Sequence, residues 1–326
     1  MDEHDILTRC LRPLAADFTP AHWLLDDVAV LPCDPALAIS TDTLVEGVHF
    51  PSGLLSAEQI ARRALRVNLS DLAASAATPL CYLLGLQLPP STDLDWMAEF
   101  AGGLRQDQEH FGIHLAGGDT VRTPGPLAVS ITVLGRLAGG GTLPRTDAQA
   151  GDALAVTGTI GDAWLGRREL EGMLPIAAGA PALAERFLLP APRLDIGRGL
   201  AALAHAAIDV SDGLIADVRN LCGAAGKGAR ISLDDAPLSE AARFHLDRGN
   251  ATLPDLAAGG DDYELLFSIP GRAVPQATEV ATAGGVALTV IGEVTDDPGV
   301  LASTPDGERP GTDTGGYVHT WEGPAD

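Results

Sequence analysis

The chain has 326 residues, a formal net charge of −23 and 46% hydrophobic residues. This length and apolar content indicate a globular protein with two domains or one large α/β unit, and exclude an intrinsically disordered chain. The 21 basic residues against 44 acidic ones argue against nucleic-acid binding, and no run approaches the roughly 18 apolar residues of a membrane helix.

The cysteines and the N-terminal residues indicate the cellular compartment of the protein. Cys10, Cys33, Cys81 and Cys222 are far apart in the sequence, with no Cys-x-x-Cys pair, so they are predicted to be free thiols. The first five residues are acidic and lack the apolar core of a signal peptide. We therefore expect a chain of the reducing cytoplasm.

The first part of the chain predicts alternating helices and strands. Ser56 followed by Gln59 fits a capping box and predicts the start of a helix that ends near residue 78. The other predictions are helices over residues 5–16 and 93–110, an apolar run at 82–88, and strands over residues 36–41, 113–116 and 127–137.

Residues 138–150 contain three consecutive glycines and a proline and predict a domain boundary. The chain is thus divided into an N-terminal domain of residues 1–140 and a C-terminal domain of residues 141–326. The second domain is predicted to contain strands over residues 153–157, 207–210, 229–233, 263–268 and 287–293 and a helix over 192–205, with an irregular last 30 residues. Strands that alternate with helices indicate an α/β or α+β architecture.

Several aspartates follow apolar runs, where strands are predicted to end. Asp42, Asp119 and Asp209 have this setting, and Asp261 follows a pair of glycines that would let the backbone approach a bulky ligand. An unpaired buried carboxylate is costly, and few basic residues lie near these positions. Because Mg²⁺ prefers carboxylate oxygens and phosphate oxygens, the pattern predicts a magnesium site at strand ends.

Each aspartate also has a simpler interpretation. An aspartate after two glycines is common in turns and at helix N-caps, and the segment 211–214 could simply begin a helix. Their joint occurrence favours the metal site over these local roles.

The usual phosphate-binding and hydrolytic motifs are absent from the sequence. Gly226-Lys227-Gly228 has the wrong spacing for a P-loop, and the protein-kinase set, the Rossmann glycine pattern, the H-E-x-x-H motif and the G-x-S-x-G elbow do not occur. His49 and His114 are isolated histidines, which are more often structural than ligands.

Six segments in order give the chain a family resemblance. They begin at Ala38, Val67, Gly117, Val156, Ala207 and Gly259 and read AISTDTLVEGVHF, VNLSDLAA, GGDT, VTGTIGD, AIDVSDGL and GGDDYEL, with a weaker match at Gly316-Tyr317. Together they resemble the thiamine-monophosphate kinase family of the aminoimidazole-ribonucleotide synthetase superfamily.

The resemblance implies a two-domain α/β (α+β) fold, a homodimer formed through the N-terminal domain, and ATP held between the domains. It implies phosphoryl transfer from ATP to thiamine monophosphate, with several Mg²⁺ ions and no catalytic side chain. By the same resemblance, the Mg²⁺ ligands would be Asp27, Ser40, Thr41, Asp42, Asp71, Asp119, Asp209 and Asp212. The ATP contacts would be Gly118, Asp119, Arg145 and Ser211, and the thiamine phosphate contacts would be His49, Asp261 and Tyr317.

The chain departs from the family pattern in two places. Leu25 and Trp23 stand where the family has glycines before a pair of aspartates, and Asp261 replaces the family's glutamate. Two alternatives stay open: another ATP-dependent synthetase of the superfamily, for example a selenophosphate synthetase, and a non-catalytic relative that binds metal or nucleotide. The segment around Cys10 is not glycine-rich and the chain does not end in cysteine, which disfavours the selenophosphate and hydrogenase-maturation branches.

Overall fold

Two β-sheets with flanking helices form the molecule. The computed structural model describes residues 25–26, 29–31, 34–137, 141–176, 183–304 and 307–310. Among these residues, no helix is long and apolar enough to cross a membrane.

The first sheet has five strands in the order β1-β2-β5-β3-β4. Its strands are β1 (Ala29–Leu31), β2 (Leu37–Val45), β3 (Thr78–Leu88), β4 (His114–Arg122) and β5 (Ala128–Arg136). All neighbours are antiparallel except β3 and β4, which are parallel because α2 (Leu94–Phe111) connects them. Helix α1 (Ala57–Ala74) connects β2 to β3.

The second sheet has seven strands in the order β12-β11-β8-β10-β6-β9-β7. Its strands are β6 (Ala153–Thr157), β7 (Ala206–Asp209), β8 (Gly228–Ser232), β9 (Leu265–Ile269), β10 (Leu288–Thr295), β11 (Gly299–Thr304) and β12 (Gly307–Pro310). Its helices are α3 (Asp162–Leu170), α4 (Leu183–Leu188), α5 (Leu194–Leu200), α6 (Leu214–Ala224), α7 (Glu240–Asp247), α8 (Leu253–Ala258) and α9 (Val274–Ala283).

Helix α1 is the element that joins the two halves. Ser56 caps it and Gln59 completes the predicted capping box. Its apolar side chains pack on β2 and β5, and it also contacts β7 and α5 of the second half. At the crossing with α5, a Cβ on Gly197 would lie 1.9 Å from the carbonyl oxygen of Ala73, so this close approach requires glycine. The helix can therefore present polar residues to both halves at once.

Two strands are longer than the sequence predicted. β2 continues to Val45, so Asp42 lies inside a strand and not at its end, and β4 likewise continues through Asp119. Pairing explains the extension, because β5 lines up with all nine residues of β2 and β3 lines up with β4 as far as Arg122. These partners are distant in sequence and were invisible to a local pattern.

Other predictions were partly wrong. The helix predicted over residues 192–205 is limited to α5, Asp261 follows helix α8 and not a strand, and residues 299–304 form β11 in a segment predicted to be irregular. The strands predicted over 127–137 and 153–157 are confirmed within one residue. The predicted helix over residues 5–16 lies outside the described residues.

Candidate active site

A cavity of about 390 Å³ collects most of the predicted site residues. Its walls come from β2 and the following loop, from α1, and from the β7–α6 connection and the loop before β9 in the second half. This volume is in the range of small-molecule sites. The predicted residues that line it are Asp42, His49, Asp71, Arg145, Asp209, Ser211, Asp212 and Asp261.

One side of the cavity is built where β2 packs on α1. Ser40 and Asp42 are two residues apart and lie on the face of β2 that carries the buried Ala38 and Leu44. Ser40 Oγ donates a hydrogen bond to Asp71 Oδ2 at 2.6 Å, and the Asp42 amide donates to Asn68 Oδ1 at 2.9 Å. Asn68 and Asp71 share one face of α1 because they are three residues apart.

The opposite side comes from the end of β7. Asp209 is the last residue of this buried strand and only 3% exposed, as predicted for a strand-end aspartate. Ser211 and Asp212 lie in the short connection before Leu214, where α6 begins, and both are half-buried. The segment is therefore both a helix start and part of the cavity wall, so the simpler interpretation of 211–214 is also correct.

The carboxylates of the two sides repel one another. Burial raises the pKa of Asp71 well above its usual value, and the negative charges of Asp42 and Asp209 raise it further. Burial likewise raises the pKa of Asp209. An arrangement in which buried acids oppose each other favours a cation between them or beside them.

The carboxylates that line the cavity fit the way in which proteins usually bind Mg²⁺. Within the described residues, no three His, Cys, Asp or Glu side chains converge on one point as a protein-only metal cage. Mg²⁺, however, is usually held by one or two carboxylates, with waters and substrate phosphates completing its octahedron. Carboxylates spread along the walls of one cavity match that mode of binding.

Two arginines balance the acidic wall. Arg145 lies in a short 3₁₀ turn at residues 145–147 and lines the cavity near Asp209, where its charge opposes the pKa rise that burial causes. Arg167 of α3 also lines the cavity and donates from Nε to Glu171 at 3.1 Å. Each guanidinium offers bidentate donors to a phosphate.

The far wall of the cavity contains Asp261 and His49. Asp261 has a left-handed backbone (φ 65°), and its carboxylate forms an ion pair with Arg63 of α1, which is 1% exposed. The guanidinium of Arg63 also donates to the carbonyl of Phe187 and lies 4.1 Å from the centre of its ring. This pairing corrects the expectation that basic partners are scarce around the aspartates.

His49 is oriented by the backbone of β2. The amide of Val45 donates to His49 Nδ1 at 3.0 Å, so a neutral ring keeps its hydrogen on Nε2. His49 is thus held by a local structural bond and also borders the cavity.

Three predicted residues are not brought to this cavity within one copy of the chain. Thr41 faces the other side of the sheet, where its hydroxyl lies 3.0 Å from that of Thr132. Gly118 and Asp119 lie on the edge strand β4. The strand register aligns Asp119 of β4 with Thr43 of β2, with β3 and β5 between them. Three strand spacings separate these two residues, a distance of about 14 Å.

The glycine before Asp119 has a packing role. A Cβ on Gly118, whose φ is +157°, would lie 1.9 Å from the carbonyl oxygen of Leu84 on β3. The neighbouring strand and not a ligand therefore requires glycine there. Asp27 and Tyr317 lie outside the described residues.

Sequence reasoning missed four residues of this site. Asn68 could have been found, because it precedes Asp71 by three residues in a predicted helix. Tyr263 lines the cavity and belongs to the quoted segment GGDDYEL, which could have marked it. Arg63 and Arg167 also line the cavity, but no local pattern marks them, because they reach it through contacts between distant segments such as that between Arg63 and Asp261.

Family models match both halves of the chain. Residues 25–137 match the N-terminal domain of AIR synthase related proteins, and residues 149–302 match the C-terminal domain. Among curated relatives, the thiamine-monophosphate kinase of Caulobacter vibrioides is 42% identical over 92% of this chain and 86% of its own length. The Escherichia coli K12 thiamine-monophosphate kinase is 41% identical over 90% of each chain.

Solved structures agree with these matches. AaThiL complexed with AMPPCP and TMP superposes with a TM-score of 0.85 at 26% identity, over 98% of this chain and 97% of that one. The thiamine-monophosphate kinase of Stenotrophomonas maltophilia has a TM-score of 0.73 at 37% identity, over 91% and 94%. The hydrogenase maturation protein HypE of Escherichia coli, at 22% identity, a TM-score of 0.70 and 84% coverage of each chain, shares the fold.

Proposed function

We propose that this chain, which belongs to the thiamine-monophosphate kinase family, transfers the γ-phosphoryl group of ATP to thiamine monophosphate, giving thiamine diphosphate and ADP. Thiamine-monophosphate kinases are phosphotransferases built from the two domains of AIR synthase related proteins. The observation that carries the proposal is one cavity lined by Asp42, Asp71, Asp209 and Asp212 together with Arg145. Solved AaThiL, bound to AMPPCP and TMP, supports the same pair of ligands here.

The chemistry of the acceptor explains which groups the cavity needs. A phosphomonoester has its second pKa near about 6 and is already mostly ionised at neutral pH, so no general base is required. The remaining problem is to bring two anionic phosphates together in line. Bound Mg²⁺ would neutralise and orient these phosphates. The carboxylates therefore hold cations, and Arg145 contributes direct phosphate contacts.

The individual assignments are proposals with different support. Asp42, Asp71, Asp209 and Asp212, with Ser40 bonded to Asp71, are the proposed cation-holding group, and their shared cavity supports them. Asp27 is proposed as a further member of that group.

Ser211 and Arg145 are proposed to contact ATP, and their position beside the acidic wall supports this. His49, Asp261 and Tyr317 are proposed to contact thiamine phosphate. A carboxylate and an aromatic face suit the cationic thiazolium ring.

A homodimer is proposed to complete the site. All nine residues of β4 are exposed. On the side of β2 that faces away from β5, only Leu37–Ile39 pair with another described strand, β1. The edge of β4 and the side of residues 40–45 that no described strand pairs could meet between two copies and cover both edges. This pairing would bring Asp119 and Gly118 of one copy beside Thr41 and Asp42 of the other. A domain boundary at residue 140 and a cytoplasmic location are further proposals.

A coupled assay for ADP release tests the proposed activity. The chain is supplied with Mg²⁺ and ATP and, in parallel, with thiamine monophosphate, thiamine or an aminoimidazole-ribonucleotide precursor as acceptor. We expect ADP only with thiamine monophosphate. ADP with another acceptor would assign the chain to a different reaction of the superfamily, and no ADP with any acceptor would favour a binding protein.

A further inference from the structure

Asp217 is a buried carboxylate behind the cavity wall, and it does not line the cavity itself. It lies in the first turn of α6 and is 1% exposed. Its Oδ2 accepts hydrogen bonds from the backbone amides of Ser211, Asp212 and Gly213 at 3.0, 3.1 and 3.2 Å. One oxygen thus satisfies three consecutive donors at the start of the helix.

The carbonyl side of the same segment is held by the loop before β9. The amides of Asp261 and Tyr263 donate to the carbonyls of Ser211 and Val210, each at 2.8 Å. The Val210 amide donates to the backbone carbonyl of Glu264, also at 2.8 Å. The connection that carries Ser211 and Asp212 is therefore fixed through its amides on one side and its carbonyls on the other. Such a segment has little freedom to reorient its side chains.

We propose that Asp217 is a positioning residue that directs the side chains of Ser211 and Asp212 into the cavity. Helix N-termini commonly bind phosphate through backbone amides. Here an internal carboxylate occupies those amides, so a nucleotide phosphate meets the side chains of the connection and not its backbone. The kinetic consequence rests on the proposed function, whereas the ordering of the connection does not.

The test changes the hydrogen-bonding capacity of Asp217 and keeps its shape. Asp217→Asn retains one acceptor oxygen but replaces the other by an amide donor, so it is a poorer partner for three backbone amides. We expect hydrogen exchange of the amides at residues 211–213 to accelerate about tenfold. We also expect the Mg²⁺ concentration for half-maximal activity to rise about tenfold and kcat to fall, while the KM for thiamine monophosphate stays within about twofold.

Asp152→Asn is the matched control. Asp152 is 5% exposed and also accepts three hydrogen bonds, from the Gln149 amide, His205 and Ser268, but it lies at the opposite end of strands β6, β7 and β9. We expect this variant to leave both the exchange of residues 211–213 and the Mg²⁺ requirement unchanged. Equal effects of the two substitutions would show a general loss of packing and overturn the proposal.

A milder variant covers the case in which Asp217→Asn does not fold. Asn220 is exposed, and its Nδ2 donates to Asp217 Oδ1 at 3.4 Å. Asn220→Ala should change exchange and the Mg²⁺ requirement in the same direction by about twofold. Wild-type exchange in Asp217→Asn, or in Asn220→Ala where Asp217→Asn does not fold, would overturn the positioning role. A wild-type chain without kinase activity would overturn the proposed function alone, because the exchange result is read without turnover.

Discussion

At the scale of single residues, Asp42 is the most exposed member of the acidic wall. It lies on the same side of the cavity as Asp71, and the negative charges of Asp42 and Asp209 both raise the pKa of Asp71. We expect Asp42→Asn to lower kcat/KM by roughly 100-fold, about 2.7 kcal/mol of transition-state stabilisation. Activity measured across a Mg²⁺ titration checks this, with Asp95→Asn, at an exposed position of α2, as the control. Normal activity of Asp42→Asn at limiting Mg²⁺ would contradict the role.

Arg63 positions Asp261, the residue that stands where the family has a glutamate. Its guanidinium forms an ion pair with the carboxylate of Asp261 and so holds this side chain at the cavity wall. We expect Arg63→Gln to raise the KM for thiamine monophosphate about tenfold and to leave the KM for ATP within about twofold. Steady-state kinetics with each substrate varied in turn measures both values, and an equal rise in the two would count against the assignment.

At the scale of elements, Glu264 ties four of them together. It is fully buried next to β9, and it binds Arg186 of α4, Arg193 before α5, and the hydroxyl of Thr157 on β6. Burial alone would raise the pKa of Glu264, but the hydrogen bonds and charges of Arg193 and Arg186 outweigh burial and lower it. Its negative charge is therefore part of the folded structure.

This ion cluster makes stability depend on pH. Because the pKa of Glu264 is lower in the folded than in the unfolded chain, its contribution is complete above the unfolded pKa of about 4.3 and is lost as the pH falls through the lower folded pKa. We expect Glu264→Gln to reduce the free energy of unfolding by about 3 kcal/mol at pH 7, and by less below about pH 4.

Urea unfolding at both pH values measures the difference. Glu293→Gln breaks an exposed pair with Arg230 and is the control, with an expected change below about 1 kcal/mol. A loss of equal size at pH 7 and in acid would contradict the charge-based account.

The elements also show what the sequence could predict. The start of α1 was predicted to the residue because a capping box is a local signal between Ser56 and Gln59. The full lengths of β2 and β4 were not predicted, because pairing with β5 and β3 extends these strands beyond their apolar runs. In the site, the local pattern and the resemblance together predicted the acidic side chains, whereas Arg63 and its contact with Asp261 arise only from tertiary packing.

At the scale of the whole molecule, the exposed edge β4 is the proposed dimer contact. Leu115 and Val121 of this strand are 49% and 48% exposed. A lysine on an edge strand disfavours pairing with another chain, so we expect Val121→Lys to shift the protein from dimer to monomer. The variant should also lose activity if Asp119 acts in the site of the other copy.

Sedimentation velocity of wild type and variant checks this prediction. Leu94→Lys is the control, because Leu94 is 85% exposed but lies on α2 and not on the sheet edge. Full activity of a wild-type chain that sediments as a monomer at assay concentration would rule out a site that needs residues of a second copy.

The proposed reaction is direct phosphoryl transfer between two phosphates in the acidic cavity. Phosphorus NMR of a mixture of wild-type chain, Mg²⁺, ATP and thiamine monophosphate follows every phosphate at once. We expect ADP and thiamine diphosphate to appear in equal amounts, with no orthophosphate, and no reaction when Mg²⁺ is chelated. Orthophosphate in place of thiamine diphosphate, or an unchanged spectrum with Mg²⁺ present, would contradict it.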